Sequence, residues 1–381
     1  MPQDLIFTNA RVVLGTEVLP QASVLVRDGL IAAIDHGASH APGAIDLDGD
    51  LLLPGLVEVH TDNLERHVMP RPKVSFPMRT ALQAHDAEIA AAGITTVFDA
   101  VGVGDPYGDG FRAKDQSALL TVLDQLDAAG LLRAQHYIHV RCELPAHNAV
   151  SLFEPFAQHP RLKLISLMDH TPGQRQWTEI EHARIYYTGK KGWSNEQFDA
   201  EVKRAPQRQA EYAEPHRAWF ANFARTHGVA LATHDDTTVA HVDEAIALGA
   251  GMSEFPTTMA AAKHAHAKGL KTIAGAPNVL RGGSHSGNVA AADLAREGVL
   301  DGLSSDYMPG SLLQAAWVLH RSAGFSLPEA VQVVSRGPAV AAGLHDRGLI
   351  AIGQRADLVR VRELDAHPVA RATFVGGRRV A

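Results

Sequence analysis

At 381 residues the chain is too long for one small module and has room for an α/β barrel of about 250 residues plus a second unit. Hydrophobic residues make up 46% and charged residues 20%, which allows a large core and excludes wholesale disorder. Thirty-five basic against 42 acidic residues give a net charge of −7, which argues against a nucleic-acid binder but leaves room for a local basic pocket and an anionic substrate.

The N-terminus, Met1-Pro2-Gln3-Asp4, lacks a basic segment followed by an apolar run, so no secretory signal is expected. Residues 4–35 alternate apolar and polar positions, and Asp28-Gly29 between two apolar runs marks a hairpin. Gly348-Leu349-Ile350, Ala356–Val361 and Arg371–Arg378 read the same way. Neither terminal piece buries a two-faced sheet alone. Residues 1–52 and 346–381 are therefore expected to pair into one small β-sandwich. That leaves 53–345 as the central domain.

There, short apolar strands alternate with Ala-rich helical stretches. Strands are expected at Gly55–His60, Ile94–Asp99, Ala134–Cys142, Leu162–Met168, Val229–His234, Gly251–Phe255, Leu270–Ala274 and Gly302–Ser305. This pattern predicts an α/β fold, a (β/α)8 TIM-like barrel. The polar stretch 171–228 is long for one connection and is expected to form a helical lid over the site. The single cysteine, Cys142, excludes an intramolecular disulfide and a cysteine-based zinc site. No apolar run reaches membrane length, since Pro54 and Gly55 interrupt Leu51–Val57, so a cytoplasmic enzyme with no membrane and no nucleic-acid partner is expected.

The predicted strands end in titratable groups: His60-Thr61-Asp62, Asp99, Arg141-Cys142-Glu143, Asp169-His170, His234-Asp235-Asp236, Glu254 and Asp306. The C-terminal strand ends form the active face of a barrel. A ring of such groups is hard to bury without a cation. His60 and Asp62 are two apart and on a strand would share a side. His170 and His234, each unremarkable alone, join Glu143 and Asp306 to offer two nitrogen and two oxygen donors from four strands. That set suits zinc, with manganese or magnesium as alternatives, and one ion or two. Glu143 could bridge two ions. Asp306 could bind metal and also take the proton of the attacking water.

Anion donors gather elsewhere. Gly275–Asn288 is a glycine-rich loop expected to cradle phosphate, with Arg281, Ser284, His285 and Ser286 adding donors. Arg66 follows the first strand, with His67, Arg71 and Lys73, and Lys190-Lys191-Gly192 lies in the lid. Glu254 is placed with these residues as a substrate contact.

Leu52-Leu53-Pro54-Gly55-Leu56-Val57-Glu58-Val59-His60-Thr61-Asp62, with paired terminal β segments around a barrel, resembles the amidohydrolase superfamily. His60–His67, Ala91–Asp99, Ser166–Gln174, His234–Thr238, Glu254–Thr258, Arg281–Asn288 and Ser305–Tyr307 extend the likeness to its diphosphatases of the carbon–phosphorus lyase pathway. The resemblance implies metal-dependent hydrolysis of a small-molecule sugar triphosphate, ribose 1-methylphosphonate 5-triphosphate, to the 5-phosphate and pyrophosphate. It also implies a functional link to the lyase enzymes and leaves homo-oligomerisation open. The chain departs from the superfamily in three ways. The usual His-x-His is His-x-Asp, Glu143 stands where many members have a carboxylated lysine, and the histidines fall on strands four and five rather than five and six. An amidase or deaminase acting on a cyclic amide or amino-purine is the alternative hydrolase. A non-catalytic scaffold on the same barrel should have lost these ligands.

Overall fold

The structure, a computed structural model, describes residues 4–71, 73–106, 116–284 and 287–381. The N-terminal segment contributes β1 (Leu5–Val13), β2 (Val18–Arg27), β3 (Leu30–His36), β4 (Ile45–Asp46) and β5 (Leu51–Pro54). The central segment supplies β6 (Leu56–Thr61), β7 (Ile94–Val103), β8 (Gln135–Glu143), β9 (Leu162–Met168), β10 (Ala230–His234), β11 (Met252–Glu254), β12 (Lys271–Gly275) and β13 (Gly302–Ser304). The C-terminal segment adds β14 (Leu358–Leu364), β15 (His367–Val375) and β16 (Arg378–Arg379).

The termini pair as expected. Their strands form one mixed sheet in the order β16-β15-β14-β5-β1-β2-β3, with β4 on β1. Asp28 and Gly29 both take positive φ, 51° and 77°, which a two-residue hairpin between Arg27 and Leu30 needs. Two intervening strands would hold β1 and β15 roughly 14 Å apart in a flat sheet. Phe7 of β1 and Phe374 of β15 nevertheless meet edge to face, centroids 4.8 Å apart. The sheet therefore curls over its own apolar face and encloses Phe7, Val24, Ile31, Leu52, Leu358 and Phe374 as one core.

The central strands run parallel in the order β6 to β13. The seam between β13 and β6 is joined by a bridge from Thr61 to Asp306. Val57, Phe98, Leu164, Ala232, Met252 and Ile273 point inward and fill the barrel. Alternate positions such as Ile138, Val140, Cys142, Ile165 and Leu231 face the helices.

Two expectations need correction. The second strand does not end at Asp99. The apolar run through Val101 and Val103 carries it on, and period two turns Asp99 outward to the helix Met78–Ala91, where His85 and His136 bond it. The stretch 171–228 is not all insertion. Its long helix, Asn195–His227, starts at a capping box on Ser194, and its second half packs Ala213, Phe220, Phe223 and Ala224 into the barrel's outer core. The preceding helix Ile180–Lys191 has a small core of its own, built from Trp177, Ala183, Tyr187 and Phe198. Among the described residues, no helix is long and apolar enough to cross a membrane.

Candidate metal centre at the strand ends

The β8 inner face carries His139, Arg141 and Glu143 at a period of two, with His139 Nδ1 2.9 Å from the Val59 carbonyl and its Nε2 2.8 Å from the Ser166 hydroxyl. Glu143 meets the segment after β9: its Oε1 accepts from the His170 backbone N–H (3.0 Å), and its Oε2 lies 2.5 Å from His170 Nδ1. At the end of β10, His234 Nδ1 lies 2.7 Å from Asp235 Oδ2. His170 and His234 are thus each held at Nδ1 by a carboxylate, which leaves Nε2 as the nitrogen to offer a ligand. The His170 and His234 rings are 5.9 Å apart, and His170 Nε2 is 3.9 Å from Asp235 Oδ2.

Next to this set, the His60 ring lies 5.5 Å from that of His234. His60 Nδ1 is 3.2 Å from Glu254 Oε1, and His139 Nε2 is 3.7 Å from Glu254 Oε2. Burial, reinforced by the nearby Arg141 and His234, holds His60 well below the ordinary imidazole range. Burial likewise pushes His139 down to about 3. Both are neutral at pH 7, the form that binds metal. For His234, burial works against the charged form but Asp235 raises its pKa. Glu254 Oε2 is buried with no hydrogen-bond partner. An anionic oxygen left so is costly, and a cation between Glu254, His60 and His139 would satisfy it. The donor set fits a divalent ion in two adjoining groups, His60–His139–Glu254 and His170–His234–Asp235.

Glu58 fixes the seam under these ligands. Its carboxylate accepts from the His60 N–H (2.6 Å), the Ser305 N–H (2.5 Å) and the Ser304 hydroxyl (2.8 Å). Burial pushes its pKa up to about 7 against these three donors. Thr61 Oγ1 donates to the Asp306 carbonyl (2.6 Å). Asp235, Phe255 and Asp306, each just past a strand, all have positive φ, between 51° and 56°. For Phe255 this is a costly backbone state, and such strain gathers at functional sites.

Of the expected ligands, His60, Glu143, His170 and His234 come together, whereas Asp62 and Asp306 lie around Arg141. β6 ends at Thr61 with its register broken between Glu58 and Thr61, so alternation does not pair His60 with Asp62. Asp62 instead stands at the N-cap position of the helix Asn63–Val68, with no capping bond from its side chain, and faces Arg141, 3.9 Å away. Asp306 lies within the electrostatic reach of the same Arg141, together with Asp62, Glu65 and Glu254. Glu254, expected as a substrate contact, sits with the histidines. His139, Asp235 and Arg141 were not singled out. Period two counted back from Glu143 finds His139 and Arg141.

Arg66 gives both hydrogen bonds of its Nη2 to Glu88 (2.7 Å each), which also takes His67 and Asn63. That clamp joins the helix Asn63–Val68 to Met78–Ala91. The expected glycine-rich loop begins as a helix, Ala276–Arg281, closed by the Gly282 N–H bonding back to the Asn278 and Val279 carbonyls. Arg281 is exposed in its last turn and Ser284 is half-buried beyond it. His285 and Ser286 lie outside the described residues. Gly287 comes against the helix Ile180–Lys191, where an added Cβ would stand 3.5 Å from His182. Lys190 is on that same helix, and its side chain lies outside the described residues. Arg175 pins this region to the mouth, donating to the His234 carbonyl (3.1 Å) and Asp236 (2.9 Å).

Known proteins share this architecture. Residues 51–380 match the amidohydrolase family. Over 378 residues the chain is 44% identical to alpha-D-ribose 1-methylphosphonate 5-triphosphate diphosphatase of Escherichia coli (strain K12), covering 99% of this chain and all of that one. N-acetyl-D-glucosamine-6-phosphate deacetylase from Mycobacterium smegmatis superposes with a TM-score of 0.63 at 17% identity, covering 99% of this chain and 100% of that one. Dihydropyrimidinase from Brevibacillus agri NCHU1002 does so with 0.63 at 13%, covering 99% and 95%. At those identities the two structures speak for the fold alone. The barrel, the mouth of histidines and carboxylates, and the match over most of the sequence agree: this chain belongs to the amidohydrolase family.

Proposed function

We propose that the protein hydrolyses ribose 1-methylphosphonate 5-triphosphate to the 5-phosphate and pyrophosphate. The observation that carries this is the 44% identity with the Escherichia coli diphosphatase across the full length of both chains. His60, Glu143, His170, His234, Asp62 and Asp306 are our candidates to hold a divalent ion, with His139, Asp235 and Glu254 completing the two groups. When bound, such an ion supplies Lewis-acid activation of water and of the phosphoryl oxygens.

The chain's own residues do the rest. Asp306 takes the proton of the attacking water. Asp235 and Glu143 fix the ring orientations of His234 and His170. Glu58 keeps His60 and Asp306 in register across the seam. Arg281 and Ser284, with His285 and Ser286, hold the departing pyrophosphate, and the helix bearing Lys190 closes over it as a lid that limits access by bulk water. Zinc is the ion of choice, because imidazole nitrogens outnumber carboxylates in the His60–His139–Glu254 and His170–His234–Asp235 groups. The enzyme would then work in the cytoplasm beside the carbon–phosphorus lyase enzymes.

Removal of metal tests the assignment. Dialysis against a chelator should abolish hydrolysis, and zinc or manganese should restore it, with plasma emission giving one or two ions per chain. Full turnover by protein shown to be metal-free would contradict it.

A further inference from the structure

We propose that Arg141 grips the phosphoryl group under attack, exchanging its loose contact with Asp62 for phosphate oxygens. This rests on the triphosphate reading above. Arg141 lies on the inner face of β8 between His139 and Glu143, and its side chain is only 13% exposed. Its Nε donates to Met168 Sδ (3.4 Å). Among the described residues, its nearest carboxylate oxygen is Asp62 Oδ2, 3.9 Å from Nη1, too far for a hydrogen bond.

The protein's structural arginines look different. Arg347, buried, gives Nη1 to Thr96 Oγ1 (2.8 Å) and Gln135 Oε1 (2.7 Å), and both Nε and Nη2 to Asp346. Arg175, also buried, gives Nη1 to the His234 carbonyl and to Asp236. Arg141 alone of these three keeps its terminal fork open toward the mouth.

A fixed cation next to metal ligands also lowers the affinity of that site for a divalent ion. Its presence makes chemical sense if something anionic binds between the two. A guanidinium fork matches two oxygens of a tetrahedral phosphoryl group, and in a site shielded from water it stabilises the charge that builds there during attack. Asp62, 24% exposed, stands at the helix start as the acceptor that Arg141 would leave.

The test uses metal-loaded wild type, R141M, R141A and R141K. Metal content is read by plasma emission and the fold by thermal denaturation. Inorganic phosphate binding is followed by calorimetry and turnover on the sugar triphosphate by product analysis. R141M should keep its metal, bind phosphate about tenfold more weakly, and lose about 100-fold in kcat/KM, mostly in kcat. R141K should retain part of both, and guanidinium ion should partly rescue R141A. Unchanged phosphate binding and kcat/KM in R141M would overturn the assignment. So would an R141M that loses metal yet regains full activity on reloading, because Arg141 would then only balance carboxylate charge. A metal-loaded wild type that neither binds phosphate nor cleaves the triphosphate sinks the triphosphate reading itself. A fully active wild type beside an indifferent R141M sinks this inference alone.

Discussion

Asp306 is the residue on which the proposed chemistry turns, and its backbone allows a clean substitution. Its φ of 55° is a left-handed state that Asn tolerates as Asp does, whereas Ala would add strain. Asp306→Asn should therefore fold normally and lose the proton acceptor together with one candidate metal-ligand carboxylate. We expect kcat to fall by about 10²- to 10⁴-fold, with a thermal midpoint close to that of the wild type. Near-normal turnover would remove Asp306 from that role. The candidate ligands His60, Glu143, His170 and His234 were legible in the sequence because each closes an apolar run, and the barrel fold makes strand ends meet. Arg141 and His139 lie one and two steps of the same alternation below Glu143, inside the strand, where an apolar residue is the usual occupant. The pairing of His60 with Asp62 by alternation was not a valid inference, because β6 breaks register before it reaches Asp62.

At the scale of elements, the helix Met78–Ala91 is tied to β7 and β8 by a buried chain of charge. His85 Nε2 and His136 Nδ1 each lie 2.8 Å from an oxygen of Asp99, and His136 Nε2 lies 3.2 Å from Asp86. Asp86 also accepts from the backbone N–H groups of Arg133 and Ala134. His85, Asp99 and His136 converge closely enough to suggest a metal group, yet their ring nitrogens and carboxylates already find partners in this chain, outside the barrel mouth. Burial opposes a charge on His136, but Asp99 and Asp86 push its pKa up to about 9 from the ordinary 6.5. A pKa raised by folding stabilises the protein fully below about 6.5, and that stabilisation is lost as the pH climbs through about 9. The thermal midpoint should accordingly fall across that window. Asp99→Asn should lower stability by about 3–5 kcal/mol and flatten the slope. A wild-type midpoint that is flat across the window would contradict a charged His136. This role of Asp99 was hidden in the sequence, since a carboxylate after five mostly apolar residues looks like a strand end. The residues from Ala276 to Arg281 were read as loop for a similar reason. Glycines on both sides masked a short helix whose C-cap is Gly282, at φ 75°.

For the whole molecule, pairing of the two termini was the most legible feature, since neither alternating segment could cover its own apolar face. The curl that brings Phe7 onto Phe374 was not legible, because it depends on the twist summed over four strands rather than on any local pattern. Arg347 bonds Thr96 and Gln135 from the chain that leads back to the terminal sheet, so sheet and barrel are joined by buried polar contacts. That frame sets the eight strand ends around one mouth, and the claim that this mouth cleaves a sugar triphosphate is the one to measure first. Phosphorus NMR of the metal-loaded protein with ribose 1-methylphosphonate 5-triphosphate should show pyrophosphate and a 5-monophosphate rising in equal amounts, both abolished by chelator. Release of inorganic phosphate from the triphosphate end, or an unchanged spectrum with metal bound, would contradict it.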